Sequence, residues 1–378
     1  MAVLTEDQSL LRDAARGWAR DRSPIGALRA LRDRGALLGY DPAIWREMAQ
    51  MGWAGVMVPE AYGGSETSLF AMGLVLEETG RTLTASPLLM SGLVAVSALL
   101  LGGGGDQQAG WLPRIADGEI VATLAVDEGP HHAPEKTALA ATPHGTGWTL
   151  TGTKTFVLEG MAADLFIVAA RTSGTPGERD GISLFLVPQH DKGVSRRALR
   201  LADSRGAAIV TFDHVEVGPD ALMGGAGEGW PVLDAVLDRA RAGLAAEMLG
   251  SATSAFEATL EYLKTRSQFG QLIGSFQALQ HRAAKMFTEL ELARSVVEAA
   301  LTALDAGDPD APLLASLAKA KMGEVFHLIS NEMVQMHGGV GMTDAYDAGF
   351  YLKRARAAEA AFGSPAFHRD RYARLQGY

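Results

Sequence analysis

The chain has no cysteine in its 378 residues. That absence removes disulfides, thiolate metal ligands and thiol nucleophiles together, and it fits a reducing, cytoplasmic setting. Positive charge is also short: 34 Lys and Arg stand against 44 Asp and Glu, a formal net charge of −10. A surface of that sign is poorly suited to neutralising a phosphate backbone or an anionic bilayer, so nucleic acid is not an expected partner. Long apolar runs are scarce as well. The stretch from Pro87 to Gly105, PLLMSGLVAVSALLLGGGG, imitates a membrane span, but it opens on proline, contains Ser91, Gly92 and Ser97, and ends in four glycines. A span needs about 20 predominantly apolar residues, and no basic flank orients this one. The stretch is therefore expected to be a buried core helix, with no membrane insertion. The acidic start, MAVLTEDQSLLRDAARGWARD, lacks the basic beginning and apolar centre of a signal peptide.

What is present is enough apolar material, 47% of the residues, for two or three packed units. Helical spacing governs the first third, in LTEDQSLLRDAARGWARD, DPAIWREMAQMGW and SLFAMGLVLEETGRTL. From about Glu119 the period changes to two, in EIVATLAVDE, GWTLTGTKTFVLEG, DLFIVAAR, GISLFLVP and AIVTFDHVEV, divided by Gly, Pro and Asp. After Gly224–Trp230 the chain returns to long helices of the kind that build bundles. The expected organisation is a helical domain over 1–118, an antiparallel β domain over 119–224 and a helical bundle over 225–378. Gly102–Gly105 are not a phosphate loop, since no strand leads into them and no Gly-Lys-Ser/Thr follows.

Two stretches of the last domain carry chemistry. In YLKTRSQFGQLIGSFQALQHR, Tyr262 to Arg282, a helix ends near Arg266, a Phe-Gly turn follows, and a new helix begins at Phe276 and Gln277. An arginine at such a turn can hold a diphosphate with its fixed fork of donors, but taken alone the stretch favours a capping or salt-bridge role for Arg266. In QMHGGVGMTDAYD, Gly338, Gly339 and Gly341 let the backbone approach a ligand closely, or simply end a helix. The adjacent His131 and His132 lack further ligands, and no metal is expected.

The pair R-S-Q-F-G-x-x-I-G-x-F-Q and Q-M-H-G-G-x-G closely resembles the flavin-binding pattern of the acyl-CoA dehydrogenase family. GWAGVMVPEAYGG (Gly52 to Gly64) and GWLPRIADGEI (Gly110 to Ile120) resemble its earlier signatures, so the likeness runs along essentially the whole chain. The resemblance implies an α+β multidomain fold: an N-terminal helical domain, a central antiparallel β domain and a C-terminal four-helix bundle, assembled as a dimer or tetramer. It implies FAD as cofactor and an acyl-CoA as substrate. Arg266, Gln268, Phe269, Phe276 and Gln277 would touch the ADP half of a neighbour's FAD, Gln335, Gly338 and Gly339 would complete the cradle, and Phe156 would cover the flavin ring.

The same resemblance exposes departures. Family chemistry needs a carboxylate to take the proton beside the thioester carbonyl, donors for the carbonyl oxygen, and a flavin to accept hydride. Gly363, Ser364 and Arg369 match the family's catalytic turn, but Phe362 stands at its glutamate. The alternative position, before an arginine on an earlier helix, is Ala240 before Arg241. The flavin-facing loop is replaced by VDEGPHHAPE, and a ring-binding hydroxyl by Leu158. Glu247, about 10 Å along the helix from Ala240, and Glu359, one turn before Phe362, are the carboxylates left nearby; a salt bridge within the bundle for Glu247 and solvation of a helix end for Glu359 account for them better than a catalytic role. Arg241 reads as a substrate contact or one half of a buried ion pair. Some bacterial members acting on bulky acyl-CoAs, steroid side chains included, pair a base-bearing subunit with one lacking the glutamate, and this chain has the profile of the latter. The alternatives are a stand-alone dehydrogenase using Glu247, a flavin monooxygenase or N-hydroxylase on the same fold, and a non-catalytic structural partner.

Overall fold

The computed structural model describes residues 3–378, which divide into two compact units. One gathers the described residues up to Arg29 with Gly73–Thr84 and Arg241–Tyr378; the other gathers Ala30–Met72 and Ala85–Ala240. Six helices come first: α1 (Glu6–Arg22), α2 (Ile25–Asp33), α3 (Pro42–Gln50), α4 (Leu69–Arg81), α5 (Val96–Gly102) and α6 (Gly105–Ala116). Thr5 and Gln8 form a capping box that starts α1, and Asp41 caps α3 by accepting from the Ala43 N–H. The apolar stretch after Pro87 is helical, as its composition requires, but its first part, Leu88–Ala95, is wound as a π-helix and is wholly buried. Ser91 there exchanges hydrogen bonds with the backbone of Ala122 at 2.9 and 3.0 Å, so its hydroxyl serves the sheet. Among the described residues no helix is long and apolar enough to cross a membrane.

The sheet lies in the second unit. Its strands are β1 (Ala122–Ala125), β2 (Ala140–His144), β3 (Gly147–Leu158), β4 (Leu165–Arg171), β5 (Ile182–Pro188), β6 (Val194–Arg200), β7 (Gly206–Val217) and β8 (Leu222–Met223). They run in the order β6-β7-β3-β2-β4-β5-β8, with β1 beside β4. Pairing is antiparallel except between β1 and β4 and at the Ala140–Arg171 contact of β2 with β4. β4 is buried throughout and β5 nearly so, which is why they read as continuous apolar runs. Leu139, Leu150, Phe166, Phe185, Val210 and Phe212 centre the core, with Phe166 and Phe212 edge to face at 6.1 Å. β2 and β6 escape the alternation rule: AATPH is short and contains proline, and VSRRALR exposes Arg197 and Arg200 on a strand at the end of the sheet order.

The first unit is helical. It holds most of α7 (Trp230–Thr265), then α8 (Gln277–Ala306), α9 (Ala311–His337), α10 (Ala348–Ala360) and α11 (Pro365–Leu375). Glycines let α4 and α7 meet backbone to backbone: a Cβ on Gly250 would lie 1.7 Å from the Glu77 carbonyl oxygen, and one on Gly80 would lie 2.2 Å from that of Glu247. Ser251 Oγ donates to the Gly80 carbonyl at 2.8 Å in the same seam. The half-buried Glu77 carboxylate receives Arg294 Nη1 at 2.7 Å, and desolvation raises its pKa against that pull.

Candidate functional site

The stretch from Arg266 to Gln277 forms a small hairpin between two long helices. Ser267–Gln268 pairs antiparallel with Gln271–Leu272, and the turn residues Phe269 and Gly270 both have positive φ, 54° and 77°. That is the backbone of a two-residue hairpin matched to strand twist. The turn leaves Phe269 91% exposed, an unusual place for so large an apolar ring. Arg266, Gln268 and Gln277 are exposed beside it, and α8 starts at Gln277 with no side-chain cap from Phe276. Its first-turn N–H groups therefore keep their affinity for an anion.

At the end of α9, Gln335, Gly338 and Gly339 are exposed, and a Cβ on either glycine would meet nothing within 4 Å. The two stretches, separate in sequence, are brought together by three stacked rings. Tyr262, one turn before Arg266, lies 4.2 Å from the His337 ring, and His337 lies 4.5 Å from Tyr346. The His337 Nδ1–H donates to the Met333 carbonyl at 2.6 Å, so Nε2 accepts the Tyr346 hydroxyl, also at 2.6 Å. Burial lowers the pKa of His337, which suits this neutral tautomer.

The Phe362 turn lies between α10 and α11. Phe362 has φ 55°, left-handed for a residue with a Cβ, and Gly363 has φ 110°. A Cβ on Gly363 would come within 2.5 Å of the Phe367 ring and 2.9 Å of His368 Nε2, so both space and backbone demand glycine there. Ser364 caps α11 by accepting from the Phe367 N–H at 3.3 Å. The Phe362 carbonyl accepts from Arg241 Nε at 3.4 Å and His368 Nε2 at 3.1 Å, and the Arg241 guanidinium lies over the Phe367 ring at 5.7 Å. Lys319 Nζ donates to the carbonyls of Glu359 and Gly363, each at 3.1 Å. Among the described residues no acceptor meets the Phe362 N–H, whereas those of Ala361 and Gly363 reach Ala357 and Ala360.

The carboxylates near this turn have partners. Glu247 is buried and its Oε1 receives Arg354 Nε at 3.0 Å and Nη2 at 2.8 Å. Glu359 presents Oε2 to His327 Nδ1 at 2.9 Å. The exposed Arg369 pairs with Glu324. Arg354, Lys319, His368 and Gly323 were not singled out by sequence. The available signal was a lysine inside the apolar run LLASLAKAKMGEV, in helical register with Ser316 and Gly323.

In the second unit, the loop after β1 is pinned to β3. The buried Lys154 donates to the Val126 carbonyl at 2.8 Å and to Glu128 Oε1 at 2.6 Å, while Glu128 also receives the N–H groups of Ala138 and Leu139. Burial lowers the Lys154 pKa despite Glu128. His132 Nδ1 meets Asp127 Oδ2 at 3.0 Å, which gives His132 an anchoring role in the loop. Phe156 projects from a bulge in β3, 48% exposed with φ 50°. The Leu158 carbonyl accepts from Thr123 Oγ1 at 2.6 Å.

Three sequence-family models match successive parts of the chain: acyl-CoA dehydrogenase, N-terminal domain, over residues 5–119; middle domain, over 127–215; and C-terminal domain, over 227–376. The chain belongs to the acyl-CoA dehydrogenase family. It is 28% identical to the short/branched chain specific acyl-CoA dehydrogenase, mitochondrial, of Bos taurus, over 94% of this chain and 82% of that protein. Among solved structures it resembles the Tcur3481-Tcur3483 steroid ACAD, with 31% identity, TM-score 0.89 and 98% of each chain covered. It also resembles the ChsE4-ChsE5 complex from Mycobacterium tuberculosis, with 26% identity, TM-score 0.89 and 100% and 99% covered.

As an oxidoreductase of the acyl-CoA dehydrogenase family, the chain shares a fold built for FAD-dependent dehydrogenation. The exposed residues of the first unit suit such a cofactor: a guanidinium, amides, an open helix N-terminus and bare glycine backbone are the donor set a dinucleotide diphosphate requires.

Proposed function

We propose that this chain is the base-lacking subunit of a heteromeric acyl-CoA dehydrogenase, lending its nucleotide cradle to the FAD of a base-bearing partner. The observation that carries the reading is the contrast between two places in one helical unit. The stretches at Arg266–Gln277 and Gln335–Gly339 are locked together by the Tyr262–His337–Tyr346 stack with their donors exposed. At the Phe362 turn, by contrast, a phenyl ring stands where the resemblance places the proton acceptor, and Glu247 and Glu359 are engaged by Arg354 and His327. Two solved relatives whose names pair two proteins make a paired assembly the natural comparison.

In this reading Arg266 and the first turn of α8 hold the diphosphate, Gln268, Gln277 and Gln335 contact the ADP half, Phe269 and Phe276 flank it, and Gly338 and Gly339 bring backbone against it. Phe156 covers the ring of a flavin carried by this chain. FAD, when bound, supplies the hydride acceptor for desaturation of an acyl-CoA thioester. The Phe362 N–H keeps one function independent of the side chain: it can donate to a thioester carbonyl, which stabilises charge developing on that oxygen. Without a carboxylate the turn binds this group and moves no proton.

The test is to purify the chain alone and co-expressed with an adjacent-encoded acyl-CoA dehydrogenase chain, and to record flavin absorption before and after adding acyl-CoAs. The expected outcome is little flavin and no bleaching for the lone chain, full flavin and bleaching for the pair, and at least tenfold weaker FAD retention in a pair carrying Arg266→Ala. Stoichiometric FAD that is bleached in the lone chain would overturn the proposal.

A further inference from the structure

One face of α9 is given over to the Phe362 turn. Ser316, Lys319, Gly323 and His327 follow at intervals of three and four residues, so they share a side of the helix. Ser316 Oγ accepts from Arg371 Nη1 at 2.8 Å. Lys319 Nζ holds the Glu359 and Gly363 carbonyls. A Cβ on Gly323 would come within 2.8 Å of Pro365 Cγ, so glycine admits that ring. His327 meets the Glu359 carboxylate. These partners lie in residues 359–371, although His327 Nδ1 also meets Arg356, and Arg241 from α7 and His368 from α11 add their bonds to the Phe362 carbonyl.

Lys319 is the centre of this arrangement. It is fully buried, and its two bonds go to carbonyl oxygens on either side of Phe362. The charged groups facing it are Glu359 and Arg354 from α10 and Arg241 from α7. Desolvation and the two arginines outweigh Glu359 and favour the neutral amine. A neutral amine has two N–H donors, which matches the two carbonyls, so losing the charge loses neither bond.

We propose that Lys319 is the positioning residue of this turn, fixing the carbonyls of Glu359 and Gly363 so that the Phe362 N–H stays available to a thioester carbonyl. The second half of this statement rests on the functional reading above; the first half stands on geometry alone. Lys319→Met tests it, because methionine keeps a similar volume while the Glu359 and Gly363 carbonyls lose this donor. Local hydrogen exchange then separates positioning from general packing. In Lys319→Met, exchange at the bonded N–H groups of Ala361 and Gly363 is expected to rise at least tenfold, while α9 and the body of α10 keep their protection. Unchanged exchange at the turn, or an equal rise along both helices, would overturn the proposal. Should that variant not fold, Lys319→Gln, whose amide ends short of both carbonyls, is read by the same criteria.

Calorimetric titration with octanoyl-CoA and free coenzyme A, using the chain in its assembled form, addresses the carbonyl donor. Lys319→Met should weaken octanoyl-CoA about tenfold and leave coenzyme A, which has no thioester, unaffected. Equal weakening of both ligands overturns the donor role, as does wild-type protein that binds the two equally well; neither outcome alters the exchange result.

Discussion

Lys319 and Glu247 show how differently two buried charges can be accommodated in one helical unit. Glu247 is met directly by the Arg354 guanidinium, and removing either partner would leave the other uncompensated. Lys319 has only carbonyl partners, and burial brings its pKa down to about 7. The linkage follows from the sign of that shift. Between pH 7 and the ordinary lysine value of 10.5, the unfolded chain holds a proton that the folded chain has released, so stability rises with pH across that window. Below pH 7 both states are protonated and the desolvation penalty is at its fullest. Denaturant unfolding of wild type and Lys319→Met should therefore give a stability difference that shifts toward wild type from pH 7 to 10, by at most about 1.4 kcal/mol per pH unit. A difference independent of pH would mean that the amine remains charged throughout.

At the scale of elements, glycine placement decides how closely the helices approach. Gly250→Ala would drive a methyl into the Glu77 carbonyl, which is backbone and cannot rotate away. The expected cost is about 1–3 kcal/mol or more, read as a lowered melting temperature, whereas Gly104→Ala, with nothing within 4 Å, should cost far less. The helices and the apolar strands were legible in the sequence because each buries a face or a whole run, and burial is what periodicity records. β2 and β6 were not legible: their pairing is supplied by neighbouring strands, and their own side chains are small, proline-containing or basic. The π-winding at Leu88–Ala95 was also hidden, since an apolar run fits either helix. At the candidate site the Gly363-Ser364 pair was readable and drew notice to Phe362. The grip on that turn was not, because Lys319, Arg241 and His368 bond to carbonyls, and backbone acceptors leave no trace in residue type.

For the molecule as a whole, the comparisons along the full chain and the helix, sheet, helix order agree on one family, while the residues that do chemistry differ between its parts. A subunit of the proposed kind would be judged by what it contributes to another. His337→Leu offers that measurement: the side chain has its bonds inside the stack, to Met333 and Tyr346, and lies 3% exposed. It should lower FAD retention of the assembled pair several-fold, although position 337 itself is expected to touch no cofactor; unchanged retention would show that each stretch acts on its own. The ring stack thus has a meaning beyond local order. It turns two loops into a single tool, so a nucleotide bound at one would find the other already in place, and the entropy of assembling the grip is spent when this chain folds instead of when the ligand arrives.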